Sequence, residues 1–188
     1  MSKIKENSGV LVQGHIKIHD PESGAVFVNK RNAIHYENMS IALAESVANQ
    51  GQGFISSMAF GNGGTSVDPT GIITYLTPNS TGTNASLYNQ TFTKIVDDRS
   101  VSNLDPQRNK IETRHVNGTN YTDVVVTCLL DYGEPNGQDA TDTASASDSL
   151  YVFDELGLVS YASSGTGKLL THVTVSYTHL TLPTIYSV

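Results

Sequence analysis

The chain has 188 residues, a formal net charge of −7, one cysteine and no tryptophan, and only 15% of its residues are charged. The acidic balance excludes a nucleic-acid surface built on a basic patch, and the lone Cys128 excludes intrachain disulfides and cysteine-based zinc sites. No apolar run approaches the roughly 20 residues that span a bilayer as a helix, so no membrane partner is expected, and the length suits a single domain whose core needs no staples.

Residues 1–9 are polar and read as a flexible N-terminal arm, without the features of a secretory signal, which implies synthesis in a cytoplasm. The domain proper is expected over 10–174. Alternation at Val10 and Val12 and then at Ile16 and Ile18 predicts a strand, interrupted at Gly14 by a bulge or a close backbone approach. Asp20-Pro21-Glu22-Ser23-Gly24 is a turn, because proline presets φ and Gly24 supplies the left-handed position. Ala25–Asn29 returns as the second strand of a hairpin.

The most organised stretch runs from Asn32 to Gly64. Helical spacing predicts one α-helix near residues 38–49, with Met39, Leu43 and Val47 on the stripe that packs against a sheet and Ala44 and Ala48 beside it. Asn38 is its expected N-cap and Gly51 its left-handed end. Phe54–Phe60 then reads as a buried strand ending in Gly61-Asn62-Gly63-Gly64. A phosphate loop would need a Lys-Ser/Thr pair before a helix. Here TSVDPTG follows, so Gly61, Gly63 and Gly64 read as a tight corner needing positive φ.

Residues 66–90, with a strand piece at Ile72–Leu76, are too long for an ordinary connector and read as a functional arm or an ordered surface loop. Thr91–Val96 predicts a strand, and Asn103–Arg108 holds an Asp-Pro turn. Lys110–Val116 and Tyr121–Leu130 predict a hairpin around Asn117-Gly118. Its apolar run Val124–Leu130 is expected at the centre of a sheet with Cys128 buried in it. Residues 133–149 form a polar, acidic loop insertion, and Leu150–Phe153, Leu156–Ser160 and Lys168–Val173 complete the strands. The fold class is mainly β, sandwich or barrel-like, with one packed helix in a single domain.

Candidate chemistry is thin. His15 and His19 share a strand face about 13 Å apart, too far to share a metal, and His35 reads as a helix-start residue. Asp131, Glu134, Asp139 and Asp142 lack the spacing of a calcium loop. Carboxylates for glycoside chemistry would come from Asp97, Asp98, Asp105, Asp154 and Glu155, but nothing in the sequence brings two together. The six sequon-like triplets at Asn38, Asn79, Asn84, Asn89, Asn117 and Asn120 read as by-products of Asn/Thr/Ser-rich loops. No catalytic residue, metal ligand or cofactor is therefore assigned.

Val175–Val188 differs in character: VSYTHLTLPT resembles the translation of the end sequence and adapter of transposase-based sequencing libraries. The segment is expected to be non-native, with the native chain continuing differently past Thr174. Lys168–Thr174 would then be half of an unfinished strand with a bare sheet edge, and His179 and Tyr186 carry no role.

DPESGAVFVNKRNAIHYENMSIALAESVAN at 20–49, FGNGGTSVDPTGIITYLTPN at 60–79, and DELGLVS with LLTHVT from Asp154 onward resemble virion structural proteins of tailed bacteriophages of the marine and environmental type. Tyr36 departs from that group, which carries proline after the histidine. The resemblance implies a non-enzymatic virion part of the neck, tail, baseplate or capsid surface, made in the host bacterial cytoplasm. Its partners would be copies of itself and other virion proteins, with 1–9, 66–90 and 133–149 as candidate contacts. A receptor- or glycan-binding fibre module using Tyr75, Tyr88, Tyr121 or Tyr132 is the alternative, and a glycan-cleaving enzyme the third reading.

Overall fold

The first hairpin follows its turn chemistry. In the computed structural model, which describes residues 9–82, 85–131, 134 and 153–175, β1 (Gly14–His19) pairs antiparallel with β2 (Val26–Ile34). Asp20 Oδ1 accepts the Glu22 N–H at 2.9 Å and Oδ2 accepts the Ser23 hydroxyl, while Gly24 takes φ +73° just past Pro21. Gly14 is a close approach, since a Cβ there would run into the Asn32 side chain. The second strand runs on past Asn29 to Ile34, and its Lys30 side chain reaches the Thr174 carbonyl.

The helix, α1, spans Tyr36–Val47 and differs from expectation in its cap and in its buried face. The chain leaves the sheet at His35, whose N–H donates to the Leu170 carbonyl at 2.9 Å. His35 is the N-cap, with its imidazole Nδ1 accepting the Asn38 N–H at 3.3 Å. Asn38 lies inside the first turn, fully buried, where Nδ2 donates to the Leu169 carbonyl at 2.9 Å. The buried residues are Asn38 and Ala42, with Met39, Ile41 and Glu45 half-buried. Leu43 is 41% exposed and Val47 87%, so of the stripe expected to face the sheet only Met39 is turned inward and the other two face solvent. At the far end Asn49 takes the left-handed conformation first, at φ 52°, and Gly51 follows at φ 68°.

Six antiparallel strands form one curled sheet. To β1 and β2 it adds β3 (Ile55–Gly61), β6 (Gln90–Ile95), β9 (Glu155–Ser160) and β10 (Thr171–Thr174), in the order β1-β2-β10-β9-β3-β6. β10 therefore lies between β2 and β9, every residue of it buried, rather than at a bare edge. Val175, the first residue of the segment read as non-native, is fully buried against the main core. Residues 176–188 lie outside the described residues, as do 1–8, 132–133 and 135–152, which hold the N-terminal arm but for Gly9 and the acidic loop but for Glu134.

Period-two alternation sorts the sheet into two faces. One carries Val28, Phe60, Leu156 and Val173, covered by Phe153 and Val175, with Cys128 and Leu130 packed against them. Phe60 and Phe153 meet edge to face at 5.1 Å, a geometry that adds about 1 kcal/mol to the burial. On the other face Ala59 packs with Leu87 and Leu169, with Val159 beside them.

Two short hairpins complete the described residues, β4 (Thr65–Val67) with β5 (Ile73–Tyr75), and β7 (Lys110–His115) with β8 (Thr122–Thr127). The second turns at Asn117-Gly118, with Gly118 at φ 87° and the Thr119 N–H returning to the Val116 carbonyl at 3.1 Å. β8 is not central. It pairs with β7 alone in a two-stranded sheet, and Val124 is 55% exposed. Its apolar run divides, because the strand stops at Thr127 and only Cys128 and Leu130 beyond it pack against the core.

Candidate functional site

Three buried polar residues, Asp154, Glu155 and His172, meet at the junction of β9 and β10. Strand register puts Thr174 opposite Glu155, so His172 lies on the same face as Glu155 two residues along. Glu155 Oε2 accepts from His172 Nε2 at 3.0 Å and from the Tyr88 N–H at 2.9 Å. Its Oε1 accepts the Asn89 N–H at 2.7 Å and the Gly63 N–H at 3.2 Å. Asp154 binds the next residues of the corner, Oδ1 accepting the Gly64 N–H at 2.8 Å and Oδ2 the Thr65 hydroxyl.

Glycine is required at this corner for close approach, not for the positive φ expected, which none of Gly61, Gly63 and Gly64 adopts. A Cβ on Gly61 would sit 2.5 Å from Glu155 Oε1 and from the Asn89 carbonyl. One on Gly63 would lie 2.7 Å from the Asn89 nitrogen, and one on Gly64 2.8 Å from the Asp154 carbonyl. The glycine run does cradle an anion, and that anion is the chain's own carboxylate.

The far side of the imidazole fixes its tautomer. His172 Nδ1 accepts the Asn79 N–H at 2.7 Å, so the ring proton is on Nε2 and points at Glu155. Asn79 Nδ2 donates to the Ser86 carbonyl at 2.7 Å, and the Tyr88 hydroxyl to the Thr77 carbonyl at 2.6 Å, with the Tyr88 ring 5.6 Å from the His172 ring. The described part of 66–90 is thus an ordered surface loop, stitched to itself and fastened over the sheet. Burial pushes the Glu155 carboxyl up. The His172 donor and the Asn89 and Tyr88 amides outweigh it and hold the group below the usual carboxylate range.

Every oxygen of Asp154 and Glu155 already accepts a hydrogen bond from the protein, and both residues are buried. This carboxylate pair is a clamp and offers no oxygen to a substrate. The remaining glycoside candidates are separate: Asp97 Oδ1 accepts from the Arg99 backbone at 3.1 Å, and Asp105 pairs with Arg108. Asp131 and Glu134 both meet Lys94, with Asp131 at 3.0 Å, and Asp139 and Asp142 lie outside the described residues. His15 and His19 are exposed on β1, His15 bonded to Asn29 at 2.6 Å.

Of the tyrosines, Tyr121 lies in the β7–β8 loop and Tyr88 is committed to Thr77, while Tyr132 is not among the described residues. A groove of about 380 Å³ separates the β7–β8 hairpin from Phe54 and Arg99. Tyr161 stacks on Phe54 at 4.9 Å, and the Arg99 guanidinium lies 5.6 Å from the Phe54 ring centre.

Sequence reasoning assigns no role to His172, because the sequence pairs it with nothing. The usable signal was a Glu and a His in two late strands, which only the register brings together. Fold and site together define a mainly-β protein with one helix, whose loops are held by a buried carboxylate–imidazole clamp. Comparison with protein-family models, with curated proteins and with solved structures found no match.

Proposed function

We propose that this chain is a non-enzymatic structural protein of a tailed-phage virion, working through contacts with copies of itself and with other virion proteins. The virion assignment rests on the resemblance of 20–49, 60–79 and the segments after Asp154. The observation that carries the mode of action is the orientation of α1. It buries Asn38 and Ala42 and leaves Tyr36, Leu43 and Val47 exposed at 63%, 41% and 87% on one stripe. A helix that turns its apolar side to water is unfavourable in a monomer and self-complementary across a two-fold axis. β1 adds to this as a terminal strand, paired only with β2 among the described residues.

The test is mass in solution by light scattering at micromolar and tens-of-micromolar concentrations, for the wild type and for Leu43→Ser/Val47→Ser. The expected result is a discrete oligomer that the double variant reduces to a monomer with an unchanged circular dichroism spectrum, its Tm no longer dependent on concentration. A wild type that stays monomeric throughout overturns self-assembly, and glycan affinity then becomes the next assay.

A further inference from the structure

Buried imidazoles whose two nitrogens have opposite hydrogen-bonding duties are sensitive to one added proton, because imidazolium has two donors and no acceptor. His172 is such a group. It is fully buried, donates through Nε2 to Glu155 and accepts through Nδ1 from the Asn79 backbone. We propose that His172 is an acid-released latch for the loop around Asn79: protonation at Nδ1 sets two N–H groups against each other and releases the Asn79 backbone, while Glu155 keeps its grip on Tyr88 and Asn89.

The surroundings give this release an order. Titratable groups facing the ring are the Glu155 carboxylate from β9 and the Tyr88 phenol from the covering loop. Asp154 is turned to Gly64 and Thr65, His35 caps α1, and Lys30 from β2 is bound to the Thr174 carbonyl. The bond between the imidazolium and Glu155 survives protonation and becomes an ion pair, so only the Asn79 side loses its partner. The amides of Tyr88, Asn89 and Gly63 are bound to Glu155 itself and stay until that carboxylate is protonated, at lower pH, since its partners hold it below the usual range. The loop comes away in two steps, Asn79 first. The latch operates whatever the protein's partners are.

The experiment is residue-resolved amide hydrogen exchange by NMR on the full chain between about pH 7.5 and 5, the range in which imidazoles change charge. Rates are corrected for intrinsic exchange, and the His172 ring carbons are followed in parallel. The expected result is that Asn79 protection falls by up to about tenfold per pH unit as a proton on Nδ1 competes with the Asn79 bond, as one-proton linkage requires. Tyr88, Asn89 and Val96 should stay protected. A His172→Gln chain should lose the pH dependence at Asn79.

Three outcomes overturn the proposal. They are an Asn79 protection that does not change with pH, a response at Asn79 that persists unchanged in His172→Gln, and a joint loss of protection at Asn79, Tyr88, Asn89 and Val96, which is global unfolding. If His172→Gln fails to fold, the order of release in the wild type decides.

Discussion

Replacing Glu155 by Gln keeps the shape of the side chain and removes only its charge and one acceptor. The buried carboxylate accepts two N–H groups on each oxygen, Asn89 and Gly63 on Oε1, and Tyr88 and His172 on Oε2. Whichever way the amide is turned, its NH₂ faces two donors, and the imidazole cannot help because Asn79 holds Nδ1 as an acceptor. Two charge-assisted bonds are lost at about 1.5–3 kcal/mol each. Burying a neutral amide in place of a carboxylate returns part of that, leaving a net loss of about 2–4 kcal/mol. With a urea m-value of about 2 kcal/mol/M, the midpoint should fall by about 1–2 M in equilibrium unfolding followed by circular dichroism. A fall of less than about 0.3 M would refute the clamp, because the carboxylate would then hold nothing that the amide cannot.

The same group sets an acid limb of stability. Glu155 titrates below its ordinary 4.5 when folded, so its contribution is complete above that value and is lost as pH falls through the lower folded value. The gap in urea midpoint between wild type and Glu155→Gln should therefore narrow as the pH falls below the ordinary carboxylate value and vanish once the folded carboxyl is protonated. Gly61→Ala pushes a methyl against Glu155 Oε1 and the Asn89 carbonyl. It should cost about 2 kcal/mol or more by the same assay, and only partly less in a Glu155→Ala background, where the clash with the Asn89 carbonyl remains. Burial pushes the Cys128 thiol from 9.0 up to about 12. At pH 8 the native protein should react with iodoacetamide at least a hundredfold more slowly than the urea-unfolded chain, and equal rates would show the thiol to be open.

Local chemistry was legible where it needed no partner. The Asp20–Gly24 turn, the Gly118 turn and the strand at 90–95 follow from residues that act within a few positions. What depended on tertiary pairing was misread. Asn38 has the side chain of a cap, yet it lies in the first turn because the Leu169 carbonyl takes its amide and His35 can supply an acceptor of its own. The glycines at 61–64 were recognised as special for the wrong reason, since close packing against a side chain about 90 residues away leaves no local trace. The Val124–Leu130 run has the composition of a central strand, but no described strand other than β7 pairs with it. His172 had no signal of its own until register placed it beside Glu155.

The position of β10 governs how this molecule can be made. β1 and β2 lie on one side of it and β9, β3 and β6 on the other, and no other described strand joins the two groups. Its bonds reach far back along the chain: Lys30 meets the Thr174 carbonyl at a separation of 144 residues, and Asn38 meets Leu169 at 131. A ribosome delivers these residues after the other described strands of the sheet, so a two-stranded and a three-stranded part wait with open inner edges. Closure by a distant strand is intrinsically slow, and the interval before it is when the chain is most exposed to pairing with a neighbour. Co-expressed chaperones should therefore raise the soluble yield more than any substitution on the finished surface.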